Sequence, residues 1–337
     1  MRLRTAIVGV GAMGGLIAGR MLAAGIRVTL LDTQATAQRL RERGLTLIEA
    51  DGAARHYTDL DVPTPGSVEP HDVVILAVKA HEIAAAVSSI APLLRTGTTV
   101  VTLQNGLPWW YFLRGSEQHA GTLLRSVDPT GSIAATLDAR RILGCVSYPA
   151  AELLEPGVIR HVEGNRFPVG EPDGTRSTRA AAVAQLFVDA GFKSPVLDDI
   201  RSEIWLKAWG NLSFNPVSAL TGATMAGICR LAESRSLIAE MMREAERIAL
   251  GLGIRFRVDL ERRLQGAERV GEHKTSMLQD LEAGRPLEYE ALVGSVLEMA
   301  RLQQLAAPTI ESVYALIKLR DLSRAPPALA AAGHAQS

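Results

Sequence analysis

Hydrophobic positions follow two different patterns along this 337-residue chain. In the first part, short continuous apolar runs alternate with stretches rich in helix-forming residues. Apolar runs of this length are typical of parallel strands covered on both faces, and their alternation with helices predicts βαβ units and a doubly wound, Rossmann-type α/β sheet. The predicted strands cover residues 5–9, 27–32, 72–78 and 98–103, and two of the predicted helices cover 12–24 and 81–94.

The second pattern begins after Asp198, where the strand signals end. From residue 201 to 320 the apolar positions recur with helical spacing, which predicts an all-helical domain. The segment 157–170 predicts a hairpin that closes the α/β domain. We therefore expect an α/β domain over residues 1–198, a helical domain over 199–322 and a disordered tail, rich in Ala and Pro, over 323–337.

Charge and composition exclude several classes of partner. Lys plus Arg and Asp plus Glu both number 36, so there is no basic excess, and we expect neither nucleic acid nor a membrane surface as a partner. The longest apolar runs are too short to cross a bilayer and the first residues lead directly into a strand, so we expect a cytoplasmic protein without a signal peptide. Cys145 and Cys229 are interpreted as buried thiols, with neither a disulfide nor a metal site.

Residues 9–14, Gly-Val-Gly-Ala-Met-Gly, connect the first predicted strand to the first predicted helix. In this context the first glycine permits a tight turn, the second lets the backbone approach a pyrophosphate, and the third allows close packing of helix on strand. The free N–H groups of the helix N-terminus favour the negative charge of the pyrophosphate. The alternative is a turn that only needs glycine. The residues expected to bind a dinucleotide are Gly9, Gly11, Ala12, Met13, Gly14 and Asp32, which ends the next strand.

Asp32 also predicts which dinucleotide is preferred. A carboxylate at the end of the second strand can accept hydrogen bonds from both hydroxyls of the adenosine ribose, and it disfavours a 2′-phosphate. Thr33 follows it, so no arginine stands directly after the strand. We therefore expect NAD(P)H as the cofactor, with NADH preferred. The alternative is that Asp32 only caps the next helix and that Arg39 reaches back to the phosphate.

Two more strand ends carry candidate residues, Lys79 and Asn105. Ligands of open α/β sheets lie outside the carboxyl ends of the strands, so both side chains are expected to face a cofactor and substrate crevice. Asn105 is followed by Gly106, and an Asn-Gly pair alone usually indicates only a turn. The aromatic run 109–112 predicts either an apolar wall over the crevice or a buried anchor of the loop.

The predicted helical domain opens with Lys207, Asn211 and Asn215. Residues four apart lie on neighbouring positions of one helix face, so the three side chains predict a polar stripe along apolar sequence. The alternatives are a surface lysine, an amide that the helix tolerates, and an N-cap at Asn215 for a helix that starts at Pro216.

A fourth group of polar residues lies at 273–280 and 284–290. Taken alone, Ser276 predicts a helix cap, and Glu288 predicts an acid that complements the dipole of a first helical turn.

Together these motifs resemble those of the ketopantoate reductases, over residues 3 to about 320. The motifs that carry the resemblance are the glycine loop, Asn105-Gly106, Lys207-x-x-x-Asn211-x-x-x-Asn215-Pro216, and Ser276-Met277-Leu278-Gln279-Asp280 followed by Glu288. The resemblance implies a Rossmann domain that binds the dinucleotide, a helical domain that carries the substrate and catalytic residues, and a cleft between them.

The resemblance also implies a role for each candidate residue. Lys207 would be the general acid, and Glu288 would contact the hydroxyl end of the substrate or orient the lysine. The residues that would bind the substrate are Asn105, Asn211, Asn215 and Ser276, and those that would contact the cofactor beyond the glycine loop are Lys79 and Asn105.

Some positions depart from the family pattern. Met225 stands where the family often carries an asparagine, His273 where some members have one, and Val293 precedes Gly294 where an asparagine is common. The expected reaction is hydride transfer from NAD(P)H to C2 of a small 2-oxo acid, with 2-dehydropantoate as the first substrate to test. The alternatives are a 3-hydroxy acid or other 2-hydroxy acid dehydrogenase of the same architecture and a non-catalytic dinucleotide sensor. A homodimer is one candidate assembly.

Overall fold

The computed structural model describes residues 3–64, 66–114 and 119–324. It divides into two compact units, Met1–Ile204 and Trp205–Ser337. The boundary that we predict between the α/β domain and the helical domain, at residues 198 and 199, lies close to this division. The assignment of separate functions to the two domains stays a prediction. Of the predicted tail, Ser323 and Arg324 are described and form hydrogen bonds to the preceding chain, whereas residues 325–337 lie outside the described residues.

The first unit contains two β-sheets. A six-stranded sheet has the order β10-β7-β6-β5-β1-β2, in which only β10 runs antiparallel to its neighbour. The four strands that the sequence predicts are confirmed as β1, β2, β5 and β6. The strands of this sheet are β1 (Thr5–Val8), β2 (Val28–Leu31), β5 (Val73–Leu76), β6 (Thr99–Thr102), β7 (Ile142–Cys145) and β10 (Val169–Gly170).

The second sheet has the order β4-β3-β9-β8, and the predicted hairpin belongs to it. The prediction of a hairpin over 157–170 is wrong in its bounds, because the two paired strands are β8 and β9, joined by a turn near Gly157. β9 pairs parallel to β3, and only the short β10 returns to the six-stranded sheet. The strands of the second sheet are β3 (Leu45–Ile48), β4 (Ala54–Tyr57), β8 (Ala150–Glu155) and β9 (Val158–Glu163).

Helices of the first unit pack on both sheets. α1 contacts β3 and β9, and Gly15 and Gly19 form the contact surface. A Cβ atom on Gly19 would lie 2.9 Å from Leu47 Cβ, so the helix and the second sheet approach closely. The helices are α1 (Ala12–Ala23), α2 (Gln34–Arg43), α3 (Ile83–Ile90), α4 (Ser132–Thr136) and α5 (Thr178–Asp189), with 3₁₀ turns at Ala80–Glu82, Ala91–Leu93 and Ala139–Arg141.

The second unit is helical over its described residues, as the sequence predicts. Its first helix, α6, starts just before the division of the two units and continues through Pro216 without interruption. Trp209 anchors it by stacking on Phe256 at 4.3 Å and by donating its indole N–H to the carbonyl of Met242 at 2.7 Å. The elements are α6 (Ile200–Thr221), α7 (Met225–Arg230), α8 (Ala232–Gly251), α9 (Leu260–Arg269), α10 (Ser276–Glu282), a π-helical turn (Glu290–Gly294), α11 (Ser295–Leu302) and α12 (Pro308–Leu322).

Within residues 3–64, 66–114 and 119–324, no helix has both the length and the apolar character needed to cross a membrane. The same ranges contain no group of three or more His, Cys, Asp and Glu side chains arranged to hold a metal ion. Cys145 and Cys229 are both buried and are not joined in a disulfide.

Candidate active site

The glycine loop lies between β1 and α1, as predicted, and its glycines have different roles. Gly9 has a positive φ of 92°, and a Cβ there would lie 2.6 Å from Val78 Cγ1. A Cβ on Gly14 would collide with the carbonyl oxygen of Gly9. Gly11, which caps α1 without a side chain, has no heavy atom within 4 Å of its own Cβ position. The loop therefore fits a pyrophosphate, because open space meets the free N–H groups of α1 at Gly11.

Asp32 is tied to this loop. Its carboxylate accepts hydrogen bonds from the backbone N–H of Val10 at 2.5 Å and of Thr33 at 2.7 Å. The N-cap of α2 is Thr33, whose hydroxyl accepts from the N–H of Thr36, so the alternative in which Asp32 caps this helix is wrong. Arg39 lies inside α2 and faces Glu155 at 3.8 Å. Asp32 thus joins the end of β2 to the glycine loop and remains partly exposed beside it.

The predicted site residues of the first unit all lie at one edge of the six-stranded sheet. Val8 pairs with both Leu31 and Leu76, and Leu76 pairs with Thr102. The chain segments that follow these residues carry the glycine loop, Asp32, Lys79 and Asn105, which therefore lie beyond neighbouring carboxyl ends of parallel strands. This edge is where open α/β sheets bind their ligands.

Lys79 and Asn105 differ in their burial and in the backbone structure around them. The backbone N–H of Lys79 donates to the carboxylate of Glu82 at 2.9 Å, and its ammonium nitrogen is buried. Asn105 is partly exposed and precedes Gly106, whose φ is 81°, and the pair lies in a bend shortly after β6.

The aromatic run 109–112 is a buried anchor of its loop, and the alternative of an exposed wall over the crevice is wrong. All four rings are at most 2% exposed. Trp110 donates its indole N–H to Thr102 Oγ1 at 3.1 Å, which fixes the loop to the end of β6.

In the second unit, α6 carries the predicted polar stripe. Between residues 203 and 219 only Leu206, Lys207 and Asn211 are not buried, and Asn215 on the same face is 5% exposed. Since the helix continues through Pro216, the alternative of an N-cap at Asn215 is wrong. A buried amide requires a polar partner, and the structure provides one.

That partner is Ser276. Asn215 Nδ2 donates to Ser276 Oγ at 3.4 Å, although the two residues are 61 positions apart. Ser276 is exposed at the first position of α10, and the N-cap is Thr275, which accepts from the N–H of Leu278 at 3.3 Å. The prediction of Ser276 as a helix cap is therefore wrong, and its hydroxyl is left for contacts at the polar stripe.

The segment between α10 and Glu288 is fixed by contacts that the sequence analysis missed. Asp280 is buried and accepts from Arg285 Nε at 2.8 Å. Arg324, after α12, donates to the carbonyls of Leu281 and Arg285 at 3.3 and 3.0 Å. An acid and an arginine five residues apart are a weak signal, and no local pattern indicates a contact with Arg324.

Glu288 lies at the start of the last group of helices. It is 9% exposed, and its carbonyl accepts from the N–H of Leu292 at 3.1 Å. Glu288 directly precedes Tyr289, the first helical residue, so the prediction of a position within the first turn is wrong by one residue. The helix that it opens is widened into a π-turn over Glu290–Gly294, a distortion that is frequent at functional sites.

Both parts of the chain match families of known proteins. The family described as Ketopantoate reductase PanE/ApbA matches residues 5–174, and the one described as Ketopantoate reductase PanE/ApbA C terminal matches residues 199–321. The 2-dehydropantoate 2-reductase of Mesorhizobium japonicum is 47% identical over 96% of this chain and 99% of its own length. A crystal structure from Ralstonia solanacearum assigned to the ketopantoate reductases matches with a TM-score of 0.92 at 38% identity, covering 96% of this chain and 99% of that one.

A more distant structure has the same fold. The ternary complex of D-mandelate dehydrogenase with NADH and anilino(oxo)acetate matches with a TM-score of 0.82 at 21% identity, covering 95% of this chain and 99% of that one. The glycine loop, the polar stripe of α6 and the Ser276 motif all lie within the two matched regions. This chain belongs to the ketopantoate reductase family of oxidoreductases.

Proposed function

We propose that this chain reduces 2-dehydropantoate to pantoate with a nicotinamide cofactor. The observation that carries the proposal is the hydrogen bond of Asn215 to Ser276 at 3.4 Å, which joins two sequence motifs 61 residues apart in one polar group. Lys207 and Asn211 lie on the same face of α6 and are both partly exposed. The relative from M. japonicum has the name of this activity.

The proposed chemistry divides between cofactor and protein. When bound, the dinucleotide supplies the hydride for the ketone carbon. Lys207 stabilises the negative charge that develops on the ketone oxygen and donates a proton to it. A lysine suits this task because desolvation lowers the pKa of an ammonium group toward neutral pH.

The remaining polar residues bind and orient the substrate. Asn211, Asn215 and Ser276 offer amide and hydroxyl groups to the carboxylate and hydroxyl ends of the substrate. Glu288, which is nearly buried at the start of its helix, contacts the hydroxyl end or orients Lys207. Lys79 and Asn105 contact the cofactor at the carboxyl edge of the six-stranded sheet.

NADH is the proposed preferred cofactor. Asp32 uses one carboxylate oxygen for Val10 and the other for Thr33, and each oxygen retains a lone pair for a ribose hydroxyl. A 2′-phosphate in the same place would meet this charge. Arg39 is about 9 Å along α2 from the N-cap, at 1.5 Å per residue, which places it far from a phosphate at the helix start.

The cofactor preference is tested by the ratio of kcat/KM for NADH and NADPH. We expect NADH to be favoured by about tenfold or more, since one charge-assisted hydrogen bond contributes about 1.5–3 kcal/mol. Replacing Asp32 with Ser and Thr33 with Arg should reverse or remove the preference. Thr33→Arg alone is the matched control, because it keeps the contact between Asp32 and Val10. Equal or better use of NADPH by the unmodified protein contradicts the assignment of Asp32.

A second candidate function is reduction of a larger apolar 2-oxo acid. Met225 starts α7 and donates its backbone N–H to the carbonyl of His273 at 3.0 Å, so an apolar residue lies beside the segment that leads to Ser276. D-mandelate dehydrogenase, with the same fold, has been solved in complex with NADH and anilino(oxo)acetate. A spectrophotometric panel of 2-oxo and 3-oxo acids with both reduced cofactors separates the candidates. The highest kcat/KM with 2-dehydropantoate supports the main proposal, and turnover of 3-oxo acids alone contradicts it.

A homodimer in the cytoplasm is the proposed state of the protein. α12 exposes Leu316, Leu319 and Leu322 at 55%, 64% and 60%, an apolar stripe on one helix face. A ketopantoate reductase from Staphylococcus aureus with the same fold is dimeric. Cys145 and Cys229 are buried and are not joined in a disulfide, as suits a reducing compartment. The mass in solution, measured by light scattering, decides the assembly.

A further inference from the structure

A polar cluster of three residues, Glu290, Tyr314 and Lys318, joins the π-turn to α12 next to Glu288. The hydroxyl of Tyr314 donates to the carboxylate of Glu290, whose oxygens lie 2.9 and 3.1 Å away. The ammonium of Lys318 lies 3.2 Å from Glu290 Oε1 and 3.0 Å from the hydroxyl of Tyr314. This cluster is separate from the polar stripe of α6, and the proposed mechanism does not use it.

Gly294 is the residue that allows this arrangement. A Cβ on Gly294 would collide with Glu290 Oε2 and would lie 3.3 Å from Tyr314 Cε2. The carboxylate of Glu290 therefore lies over the end of the π-turn, in space that any other residue at position 294 would fill. Since Gly294 has an ordinary helical φ of −58°, the need for glycine here is one of space and not of backbone conformation.

Tyr314 also contacts the residue directly after Glu288. The rings of Tyr289 and Tyr314 pack edge to face, with centroids 6.0 Å apart. One tyrosine thus holds Tyr289 through its ring and Glu290 through its hydroxyl, the two residues that follow Glu288. Burial raises the pKa of both Tyr289 and Tyr314, and the hydrogen bonds that Lys318 donates to Tyr314 and Glu290 raise the pKa of Lys318. Both tyrosines therefore stay neutral and Lys318 stays charged across the neutral pH range.

We infer that Tyr314, together with Glu290 and Gly294, is a positioning device that fixes the backbone at Glu288 in the orientation needed for turnover. This inference rests on the proposed function for the role of Glu288. These contacts are made by the side chains of Tyr289 and Glu290, the two residues directly after Glu288. The π-turn begins at Glu290, the residue to which both Tyr314 and Lys318 donate hydrogen bonds.

The inference is tested with two variants. Tyr314→Phe removes the hydroxyl and keeps the ring. Gly294→Ala displaces the carboxylate of Glu290 because the added Cβ occupies its space. Both variants should lower kcat about tenfold and leave KM for the cofactor unchanged. Glu311→Gln, which changes an exposed carboxylate on the same helix, is the matched control and should behave as the unmodified protein. Hydrogen exchange should become faster at the amides of residues 289–294 in the first two variants only.

A double-mutant cycle connects the cluster to Glu288. If Tyr314 acts through Glu288, then Tyr314→Phe should have little further effect on kcat in a Glu288→Gln background. Independent, multiplicative losses would overturn the inference, as would unchanged hydrogen exchange in Tyr314→Phe. If the unmodified protein turns over no 2-oxo acid, the proposed function fails, and the exchange measurement still decides whether Tyr314 fixes the segment.

Discussion

At the scale of single residues, side chains of similar chemistry in the same sequence motif make different contacts in the structure. Thr275 and Ser276 are adjacent hydroxyl residues, yet Thr275 caps α10 and Ser276 faces Asn215. Lys207 is partly exposed on a helix that is otherwise largely buried around it. These differences separate residues that stabilise the fold from residues that are available for chemistry, and each makes a specific prediction.

Lys207→Ala should lower kcat by about 10²–10⁴, the usual contribution of general acid catalysis, and should weaken cofactor binding only slightly. The reason is that the glycine loop and Asp32 belong to the other unit of the chain. Lys207→Arg is the matched control, because an arginine keeps the positive charge but does not release its proton. Steady-state kinetics and a cofactor titration check this. Turnover of Lys207→Ala within a few-fold of the unmodified enzyme excludes the lysine as the acid.

Ser276→Ala should raise KM for the 2-oxo acid by about 10- to 150-fold, since a hydrogen bond to a carboxylate contributes about 1.5–3 kcal/mol. Its Tm should change little, because the helix cap is Thr275. Thr275→Ala should show the opposite behaviour, with a loss of about 1 kcal/mol in the free energy of unfolding. Calorimetry and kinetics on the pair distinguish the two roles. A large drop in Tm for Ser276→Ala would show that the cap had been misassigned.

At the scale of elements, strands and helices with a strong local pattern were predictable and the second sheet was not. β1, β2, β5 and β6 are continuous apolar runs, and the sequence predicts all four. β8 has the sequence Ala-Ala-Glu-Leu-Leu-Glu, whose residues favour helix, and pairing with β9 overrides that preference. β4 is largely exposed and has no apolar alternation to detect.

The candidate site also contains features that the sequence predicts and contacts that it does not. The stripe of Lys207, Asn211 and Asn215 follows from helical spacing alone, and the glycine loop follows from its position between a strand and a helix. The contact of Asn215 with Ser276 depends on how α6 packs against α10, which no periodicity in either segment encodes. The same holds for Arg324, which reaches the segment before Glu288 from the far end of α12.

At the scale of the whole molecule, buried charges determine the response to acid. Glu171 is 2% exposed, and although burial opposes its ionisation, hydrogen bonds from Arg179 and Ser177 and the charges of Arg179 and Arg114 hold its pKa below the usual value of 4.5. Burial lowers the pKa of His71 below its usual value of 6.5. In both cases the unfolded chain binds more protons than the folded chain within the window between the two pKa values, so acid destabilises the fold.

The free energy of unfolding should therefore fall as the pH decreases below about 6.5, where the unfolded chain begins to take up a proton at His71, and more steeply below about 4.5. Urea denaturation from pH 7 to pH 4 measures it. Glu171→Gln should lose about 3–5 kcal/mol at pH 7, because Arg179 loses its carboxylate partner and Arg114 keeps only Asp173, and the difference should shrink toward low pH. A constant difference across the range would show that the charge of Glu171 is not the cause.

The packing of α1 against the second sheet affects how mutational data on this family should be interpreted. Gly15 and Gly19 lie outside the fingerprint of glycines that serves the dinucleotide, yet a Cβ on Gly15 would lie 2.5 Å from Ile159 Cδ1. A library scored only by growth or turnover would group both positions with Gly9, Gly11 and Gly14 and would count them as part of the cofactor site. Scoring the abundance of folded protein in parallel separates Gly15 and Gly19 from Gly11, because losses at Gly15 and Gly19 come from the fold and losses at Gly11 come from the ligand.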